Sequence, residues 1–447
     1  MASIKKKLFH SHESKRHFLF SKTDTDRLQD VKNQELLDAD ETVRSAFPDM
    51  LNGSDFIDHA VKQLDAIAQF SAMVVRLDPM KETNGPTEPA GDNKGVVDTA
   101  GILDGLCSKE NGLWGTLEAG LFGCFFPDIN GSDSFELARN FQKHLKKKTG
   151  KTVTIGVASF PTLAYKKPEI INNACKALDH ATFFGANSLI AFDDISLNIS
   201  GDKLYEKGNI QEAINEFKTA LKLDSGNENV HNSLGVCYGL QSHYDSAIAE
   251  FKKAIAIAPA EYMALYNLGL VQLLMKQPDR ALEYFLDADK INGNNYEVAF
   301  QTGKLYLETG ILKKCRPYLE RAAELEPESG QAYRYLGDCY TASHRPQAAI
   351  SAYKKAIKHN PHDAAALSAL GSIFDDQGEN PEITLMFLRE SIALSPENGL
   401  FHHRLGRHFS NQHHLNDALK EFVRAKSLGY DAAEDIKAIK DRKKVKK

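Results

Sequence analysis

Glycine and large apolar residues recur at a fixed spacing through the second half of the chain. Gly235, Gly269, Gly303, Gly337 and Gly371 lie 34 residues apart, and a large apolar residue follows each glycine by 16 or 17 positions. A period of this length predicts pairs of antiparallel helices, because each pair leaves an apolar face that only the next pair can cover. We therefore expect seven stacked hairpins over residues 194–430. They would begin near Asp194, Glu228, Tyr262, Tyr296, Gly330, Ala364 and Gly399.

The residue types at these positions suit close packing of helices. Glycine and alanine let two helices approach, and a large residue such as Phe251 or Phe285 fills the space between them. Proline ends the second helix because it has no backbone N–H to donate. The sixth hairpin carries one extra residue, and Thr384 and Ser391 replace alanines there, which predicts a local bulge. Residues 431–447 predict a capping helix with a basic tail.

The spacing and the residues at the fixed positions resemble the tetratricopeptide repeat. The resemblance implies an all-α superhelical solenoid whose first helices line a groove for a segment of a partner protein. The residues at the groove positions would be Asn232, Val236, Tyr266, Leu270, Leu273, Phe300, Lys304, Arg334 and Asp338.

The centre of this predicted groove is apolar and aromatic, with charged residues after it. Such an exposed stripe is typical of a partner-binding site. Packing of the stripe against the N-terminal domain or the final helix is the alternative. The lysine, asparagine and arginine set that clamps a C-terminal carboxylate in chaperone-binding members of the family is not assembled here, so we do not expect a chaperone-tail receptor.

The first half alternates apolar runs with helical patterns, which predicts an α/β domain over residues 46–193. Residues 1–45 are polar and basic, and we expect them to be disordered. The predicted fold class is thus a multidomain α+β/α protein in which an α/β domain precedes an all-α solenoid.

Four segments of the α/β half resemble the GGDEF domain of bacterial diguanylate cyclases. They read FPDMLNGSDFIDHAVKQL, VVRLDPMKETNG, VTIGVASFP and ACKALDHATFFGANSLIAF. The resemblance covers residues 46–193 and rests on the order and spacing of the segments. Members of that family join two GTP molecules into cyclic di-GMP, which requires a divalent metal held by carboxylates and cations that hold phosphate.

The matched positions lack those groups. The family's metal carboxylate falls at Arg76, its signature pentad at residues 117–121, its phosphate-binding cations at Thr182 and Ala186, and its inhibitory product site at Lys109 and Gly112. The resemblance therefore implies a degenerate domain without enzymatic activity, cofactor or metal. Such a domain could provide a second docking surface or a homodimer contact.

Four polar residues keep their places in the strand–loop motif: Asp78, Lys81, Asn84 and Asp92. They form a possible vestigial nucleotide site, although ordinary loop side chains are the favoured interpretation because short motif matches have a high false-positive rate. Two functions remain open, and an active cyclase with a displaced motif is a third, less favoured one. The first is a non-enzymatic bacterial adaptor that holds a partner in the groove. The second is a sensor of guanine nucleotide or cyclic di-GMP that regulates partner binding, although we expect neither ligand to bind strongly.

Composition narrows these possibilities. The 447 residues carry a formal net charge of −5, which gives no reason to expect nucleic acid as a partner. The six cysteines are scattered without a CxxC pair, which favours a reducing cytoplasm over a disulfide framework or a zinc knuckle. We expect no signal peptide and no transmembrane segment. The histidines at 402, 403, 408, 413 and 414 invite a metal site, but their phases in the repeat do not converge, so we expect none.

Overall fold

The structure is a computed structural model that describes residues 42–79, 93–118 and 120–445. The chain divides into two compact units, Met1–Pro259 and Ala260–Lys447. The first unit contains a five-stranded sheet with its helices, followed by two helical hairpins. The second unit is helical wherever it forms regular structure. The all-α region that the sequence period predicts therefore begins inside the first unit.

The sheet has the strand order β2-β3-β1-β4-β5. Its strands are β1 (Phe70–Leu77), β2 (Leu113–Glu118), β3 (Leu121–Pro127), β4 (Val153–Phe160) and β5 (Leu189–Ala191). The helices of this part are α1 (Gly53–Gln63), α2 (Asn93–Lys109), α3 (Gly131–Thr149) and α4 (Ile170–Thr182). Strand β1 pairs antiparallel with β3 and with β4, whereas β4 and β5 are parallel.

Helices cover both faces of the sheet, and β1 is accordingly apolar on both sides. Met73 and Val75 join the core that includes residues of α2 and α3, while Ala72 and Val74 join the core that includes residues of α1 and α4. Alternate residues of a strand point to opposite faces, so a strand buried on both faces reads as a continuous apolar run. A Cβ at Gly156 of β4 would collide with the backbone of α4, so this glycine permits the close approach of helix and sheet.

Helical hairpins follow without a linker. In the first unit they are α5 (Asp194–Glu206) with α6 (Ile210–Leu223) and α7 (Glu228–Leu240) with α8 (Tyr244–Ile257). In the second unit they are α9 (Tyr262–Leu274) with α10 (Pro278–Ile291), α11 (Tyr296–Glu308) with α12 (Leu312–Leu325), α13 (Gly330–Ala342) with α14 (Pro346–His359), α15 (Ala364–Gln377) with α16 (Pro381–Leu394), and α17 (Gly399–Asn411) with α18 (Leu415–Ser427). A last helix, α19 (Ala433–Val445), packs on α18.

The fixed glycine of each hairpin lies against the large residue of the second helix, as the sequence predicts. A Cβ on Gly269 would lie 2.5 Å from the ring of Phe285, and one on Gly235 would lie 2.6 Å from the ring of Phe251. Both distances are far inside van der Waals contact. Only glycine therefore allows the two helices to come this close.

Capping residues and prolines mark the ends of the repeat helices. The residue before each first helix accepts a hydrogen bond from a backbone N–H of the first turn, which satisfies a donor that the helix itself cannot. These residues are Asp193, Asn227, Glu261, Asn295, Ser329, Asp363 and Asn398. Prolines at 259, 327, 361 and 396 each follow the end of a second helix by two residues.

The sixth hairpin accommodates its extra residue without the predicted bulge. Helix α15 has 14 residues, where α13 has 13, and it ends at Gly378 in the left-handed conformation. Thr384 and Ser391, which replace alanines, are fully buried. Ser391 Oγ donates to the backbone carbonyl of Leu388 at 2.8 Å, so this hydroxyl needs no partner from another helix. The extra residue therefore lengthens the helix by one position.

Candidate protein-binding surface

The residues expected in the groove differ in exposure. In the first unit, Asn232 and Val236 of α7 are half-buried. In the second unit, Leu273, Lys304, Arg334 and Asp338 are half-buried as well. Tyr266, Leu270 and Phe300 are 1%, 0% and 4% exposed. The expectation of an exposed apolar and aromatic stripe is therefore wrong at these three positions.

Local packing explains the burial. The ring of Tyr266 lies 5.5 Å from that of Phe285 in the same hairpin, so it contributes to the hairpin core. Residues 264–272 of α9 are buried without a break. A helix that is apolar on every side is a buried helix, whatever its register in a repeat. The family's groove positions therefore do not select exposed residues on α9.

An aromatic and cationic cluster lies between α11 and α13. Phe300 stacks on Tyr296 at 5.6 Å and meets the edge of Tyr335 at 5.3 Å. Over the Tyr335 ring lie the Arg334 guanidinium at 4.1 Å and the Lys304 ammonium at 5.6 Å, both in cation–π geometry. Tyr335 follows the predicted groove residue Arg334 directly and was not itself among the predicted groove residues. We call Lys304, Leu307, Arg334, Tyr335 and Asp338 the central repeat surface.

Arg334 and Asp338 also hold the repeats together. Arg334 Nε lies 3.2 Å from Asp363, the residue that caps α15, and Arg334 Nη1 lies 3.5 Å from Asp338. Burial raises the pKa of Asp338, although a hydrogen bond from Tyr353 and the positive charge of Arg334 oppose the shift. Burial lowers the pKa of Arg334, but its contacts with Tyr335 and Asp363 outweigh this effect and raise it. Both side chains therefore contribute to the fold as well as to the central repeat surface.

Three of the five histidines near the end of the chain each have an acidic partner of their own. His402 Nδ1 lies 2.7 Å from Glu421, His403 Nε2 lies 3.1 Å from Asp435, and His408 Nδ1 lies 2.8 Å from Asp375. His413 and His414 lie at the turn before α18. Within the described ranges no group of three histidine, cysteine or acidic side chains is arranged to hold a metal.

Asp78, from the possible nucleotide site, holds the sheet domain together. Its Oδ1 accepts a hydrogen bond from Thr154 Oγ1 at 2.5 Å, and its Oδ2 accepts one from the Asn187 backbone N–H at 2.7 Å. Both carboxylate oxygens are therefore engaged by β4 and by the segment before β5. The other members of the predicted site, Lys81, Asn84 and Asp92, lie outside the described residues.

The residues matched to the cyclase pentad, 117–121, span the end of β2, the turn and the first residue of β3, and Ala119 is not described. Arg76 of β1 pairs with Leu121 at the start of β3, beside this turn. An arginine at this place would repel a divalent metal.

Ser196, His180 and Asp193 meet at the junction of α4 with α5, in a combination that hydrolases also use. Ser196 Oγ donates to Asp193 at 2.7 Å and lies 3.4 Å from His180 Nδ1. Nucleophilic catalysis requires the serine to donate to the histidine and to reach a substrate. Ser196 is fully buried and donates to the carboxylate instead. The three residues therefore cap α5 and anchor the first hairpin to the sheet domain.

Two ion pairs strengthen the same junction. Lys176 of α4 lies 2.7 Å from Glu216 of α6, and Lys203 of α5 lies 2.7 Å from Asp179 of α4. An open cavity of about 400 Å³ lies beside them, lined by Tyr165, Leu204, Glu212, Asn215, Glu216 and Thr219. The sheet domain and the first hairpin thus form one continuous body within the first unit.

Among the described residues, no helix is both long enough and apolar enough to cross a membrane.

Family models support the repeat assignment. Models described as TPR repeat and Tetratricopeptide repeat match residues 201–242, 241–296 and 330–363. The chain is 26% identical over 229 residues to anaphase-promoting complex subunit 3 of Schizosaccharomyces pombe, covering 51% of this chain and 29% of that protein. It is 32% identical over 111 residues to the type IV pilus assembly protein PilF of Pseudomonas aeruginosa, covering 24% of this chain and 44% of that protein. The chain thus spans less than half the length of these two relatives.

Solved structures of repeat proteins also resemble parts of the chain. YrrB, described as a TPR protein with an unusual peptide-binding site, is 26% identical, with a TM-score of 0.35, over 40% of this chain and 91% of its own. The PilF structure from Pseudomonas aeruginosa is 18% identical, with a TM-score of 0.43, over 48% of this chain and 98% of its own. The 34-residue period, the glycine-to-ring contacts and the family models lead to one assignment: residues 201–296 and 330–363 form tetratricopeptide repeats.

Proposed function

We propose that the chain is a non-enzymatic adaptor that binds a segment of a partner protein on its repeats, and that the central repeat surface is the place of contact. The observation that carries the proposal is the Tyr335 ring with Lys304 and Arg334 over it, on first helices of consecutive repeats. Aromatic rings and arginine are the residue types that contribute most to protein interfaces. Repeats of this family commonly serve such interactions.

The exposure of these residues fits that role. Lys304 retains 31% of its side-chain exposure, and its nearest carboxylate, that of Glu308, lies 3.8 Å away. Leu307 and Tyr335 are half-buried, so each presents some apolar surface to a ligand. A preformed surface of this kind costs little conformational entropy on binding, because its side chains already hold each other in place.

We further propose that the sheet domain is a degenerate GGDEF-like domain that provides a second docking or homodimer surface in a bacterial signalling protein. The support for this proposal is that Arg76 pairs with Leu121 beside the β2–β3 turn, and the sequence resemblance matches these residues to that family's metal carboxylate and signature pentad. Arginine and apolar residues at these positions are unsuited to that chemistry. The sheet domain would then act through its surface.

The alternative function, a guanine-nucleotide or cyclic di-GMP sensor, gains no support from the described part of the domain. The carboxylate of Asp78 has both oxygens committed to Thr154 and Asn187. Calorimetry with GTP, GDP and cyclic di-GMP tests this alternative. Saturable heat with any of the three would favour a sensor over a pure adaptor.

Site-specific photo-crosslinking tests the adaptor proposal. A benzophenone amino acid would replace Leu307 on the central repeat surface and, as a control, Val423 on α18, which is 51% exposed. We expect the Leu307 position of the full chain to crosslink one protein reproducibly in cells, and the Val423 position not to. Equal crosslinking from the two positions, or none from Leu307, would overturn the assignment of the surface.

A further inference from the structure

Helix α14 carries positive charge without any acidic residue. Its 14 residues include Lys354, Lys355 and Lys358 and no aspartate or glutamate. All three lysines are exposed. Arg345, which precedes the helix, is exposed as well, and its guanidinium lies 5.3 Å from the Tyr340 ring centre. This basic face stands out in a chain whose formal net charge is −5.

Two lysines of the basic face, Lys354 and Lys355, lie over aromatic rings, and none of the three has a carboxylate partner among the described residues. Lys354 Nζ lies 5.7 Å from the Phe374 ring centre, and Lys355 Nζ lies 4.9 Å from that of Tyr333. The Tyr333 ring in turn stacks on His359 at 5.9 Å. Aliphatic stems that lie along rings are partly ordered, so their ammonium groups are already placed for an anionic ligand.

The second repeat provides a matched comparison. Its helix α8 carries Lys252 and Lys253 at the repeat positions of Lys354 and Lys355. There Lys253 Nζ lies 2.9 Å from Glu250, so the repeat supplies its own counter-charge. In the fifth repeat a buried alanine, Ala352, stands at the position of Glu250. The fifth repeat therefore has the cations of the second without the internal anion.

Helix stability accounts for only part of this charge. Lys358 and His359 lie in the last turn of α14, where positive charge interacts favourably with the helix dipole. Lys354 and Lys355 lie a turn earlier, where that effect has faded. Lys354 and Lys355 therefore have neither a counter-ion among the described residues nor a role at the helix dipole, and their charge is available to a ligand.

We propose that the basic face of α14 binds an acidic segment of a partner protein, independently of the central repeat surface. Glutamate and aspartate side chains on an extended or helical segment match cations that repeat every three or four residues along a helix. The helix is about 20 Å long at 1.5 Å per residue, and its three lysines lie within its last two turns. Nucleic acids are usually bound by broader basic surfaces, so an acidic polypeptide is the better fit.

Fluorescence anisotropy with a labelled poly-glutamate peptide tests the proposal on the full chain. The variant Lys354→Glu/Lys355→Glu is compared with the matched variant Lys252→Glu/Lys253→Glu, and circular dichroism checks that both remain folded. We expect the first variant to bind about tenfold more weakly at low salt, and the second to change binding by less than about twofold.

Two results would overturn the proposal. Equal losses in the two variants would mean that the peptide responds only to total charge. Tighter binding of a single-stranded RNA oligonucleotide than of poly-glutamate, lost in the α14 variant, would assign the face to nucleic acid. Because this assay does not involve Leu307, a failed crosslink at the central repeat surface and a failure here are distinguishable.

Discussion

Tyr353 donates a 2.7 Å hydrogen bond to Asp338 and so joins the two helices of the fifth hairpin. Tyr353 occupies the position that phenylalanine holds in the first three hairpins, and its ring lies against Gly337 in the same way. The added hydroxyl requires a buried acceptor, and Asp338 provides it. The same carboxylate belongs to the central repeat surface, so the core of this hairpin and its proposed binding surface are linked.

Replacing this tyrosine should therefore cost stability without changing the packing. We expect Tyr353→Phe to lower the free energy of unfolding by about 1 kcal/mol, because the ring still fits and only the hydrogen bond is lost. Urea denaturation followed by circular dichroism measures the change. In an Asp338→Leu background the same substitution should be nearly neutral, and an equal loss in both backgrounds would contradict the link.

The contact between Gly269 and Phe285 predicts that adding one methyl group at residue 269 strongly lowers stability. Gly269→Ala should destabilise the second unit by about 1–3 kcal/mol, because a Cβ at this position overlaps the Phe285 ring. Gly105→Ala on α2 is the control, since a Cβ there meets no heavy atom within 4 Å. The control should be neutral or gain up to about 1 kcal/mol from helix propensity. Thermal unfolding of the two variants would refute the packing argument if their effects were equal.

The carboxyl group of Asp202 on α5 predicts that the stability of the first unit depends on pH. Burial raises the pKa of its carboxyl group to about 7 from the ordinary value of 3.8, and nearby Glu206 adds to the shift. The folded state therefore binds this proton more tightly than the unfolded state does. Stability is gained as the pH falls below about 7 and is lost as the pH rises through that value, by at most about 1.4 kcal/mol per unit.

Thermal unfolding at about pH 5.5 and about pH 8 measures this dependence. We expect Asp202→Asn to raise the melting temperature at the higher pH. The difference between the melting temperatures at the two pH values should therefore be smaller than in the wild-type chain. Asp245→Asn, at an exposed position on α8, is the control and should leave the wild-type difference in place. If the melting temperature of Asp202→Asn depended on pH as that of the wild-type chain does, the pH dependence would have to come from another titratable group.

The contacts of His402 predict that this histidine has a structural role. Its Nδ1 lies 2.7 Å from Glu421 and its Nε2 lies 3.0 Å from the carbonyl oxygen of Pro396. His402→Ala should cost about 1–3 kcal/mol, because it removes the buried ring that contacts both Glu421 and Pro396. The exposed His362→Ala should change stability by less than about 0.5 kcal/mol. Similar losses in the two variants, measured in urea, would rule out this role.

The repeat architecture could be read from the sequence because it depends on short-range chemistry. The glycine of each hairpin and the ring that faces it lie 16 or 17 residues apart, so a period and residue size suffice to pair them. Every first helix in the structure begins at the residue that the period selects. Caps such as Asn227 and prolines such as Pro259 mark the ends of helices for equally local reasons.

The exposure of the groove residues, unlike the repeat architecture, could not be predicted from the spacing of residues along the chain. Tyr266 and Phe300 occupy positions that face a groove in the family, but their burial depends on whether a neighbouring ring lies against them. Tyr335 was missed because cation–π contacts from Lys304 and Arg334 join residues on two helices. Periodicity places residues on a face of a helix, whereas three-dimensional packing decides which of them solvent reaches.

The dissociation constant of the protein that crosslinks at Leu307 tests the central claim most directly. Isothermal titration calorimetry with the purified partner would compare Lys304→Glu, on the central repeat surface, with Lys290→Glu, an exposed lysine of α10. We predict that Lys304→Glu weakens binding about fivefold or more, and that Lys290→Glu changes it by less than about twofold. Equal affinity of Lys304→Glu and the wild-type chain would contradict the claim that the repeats hold their partner on this surface.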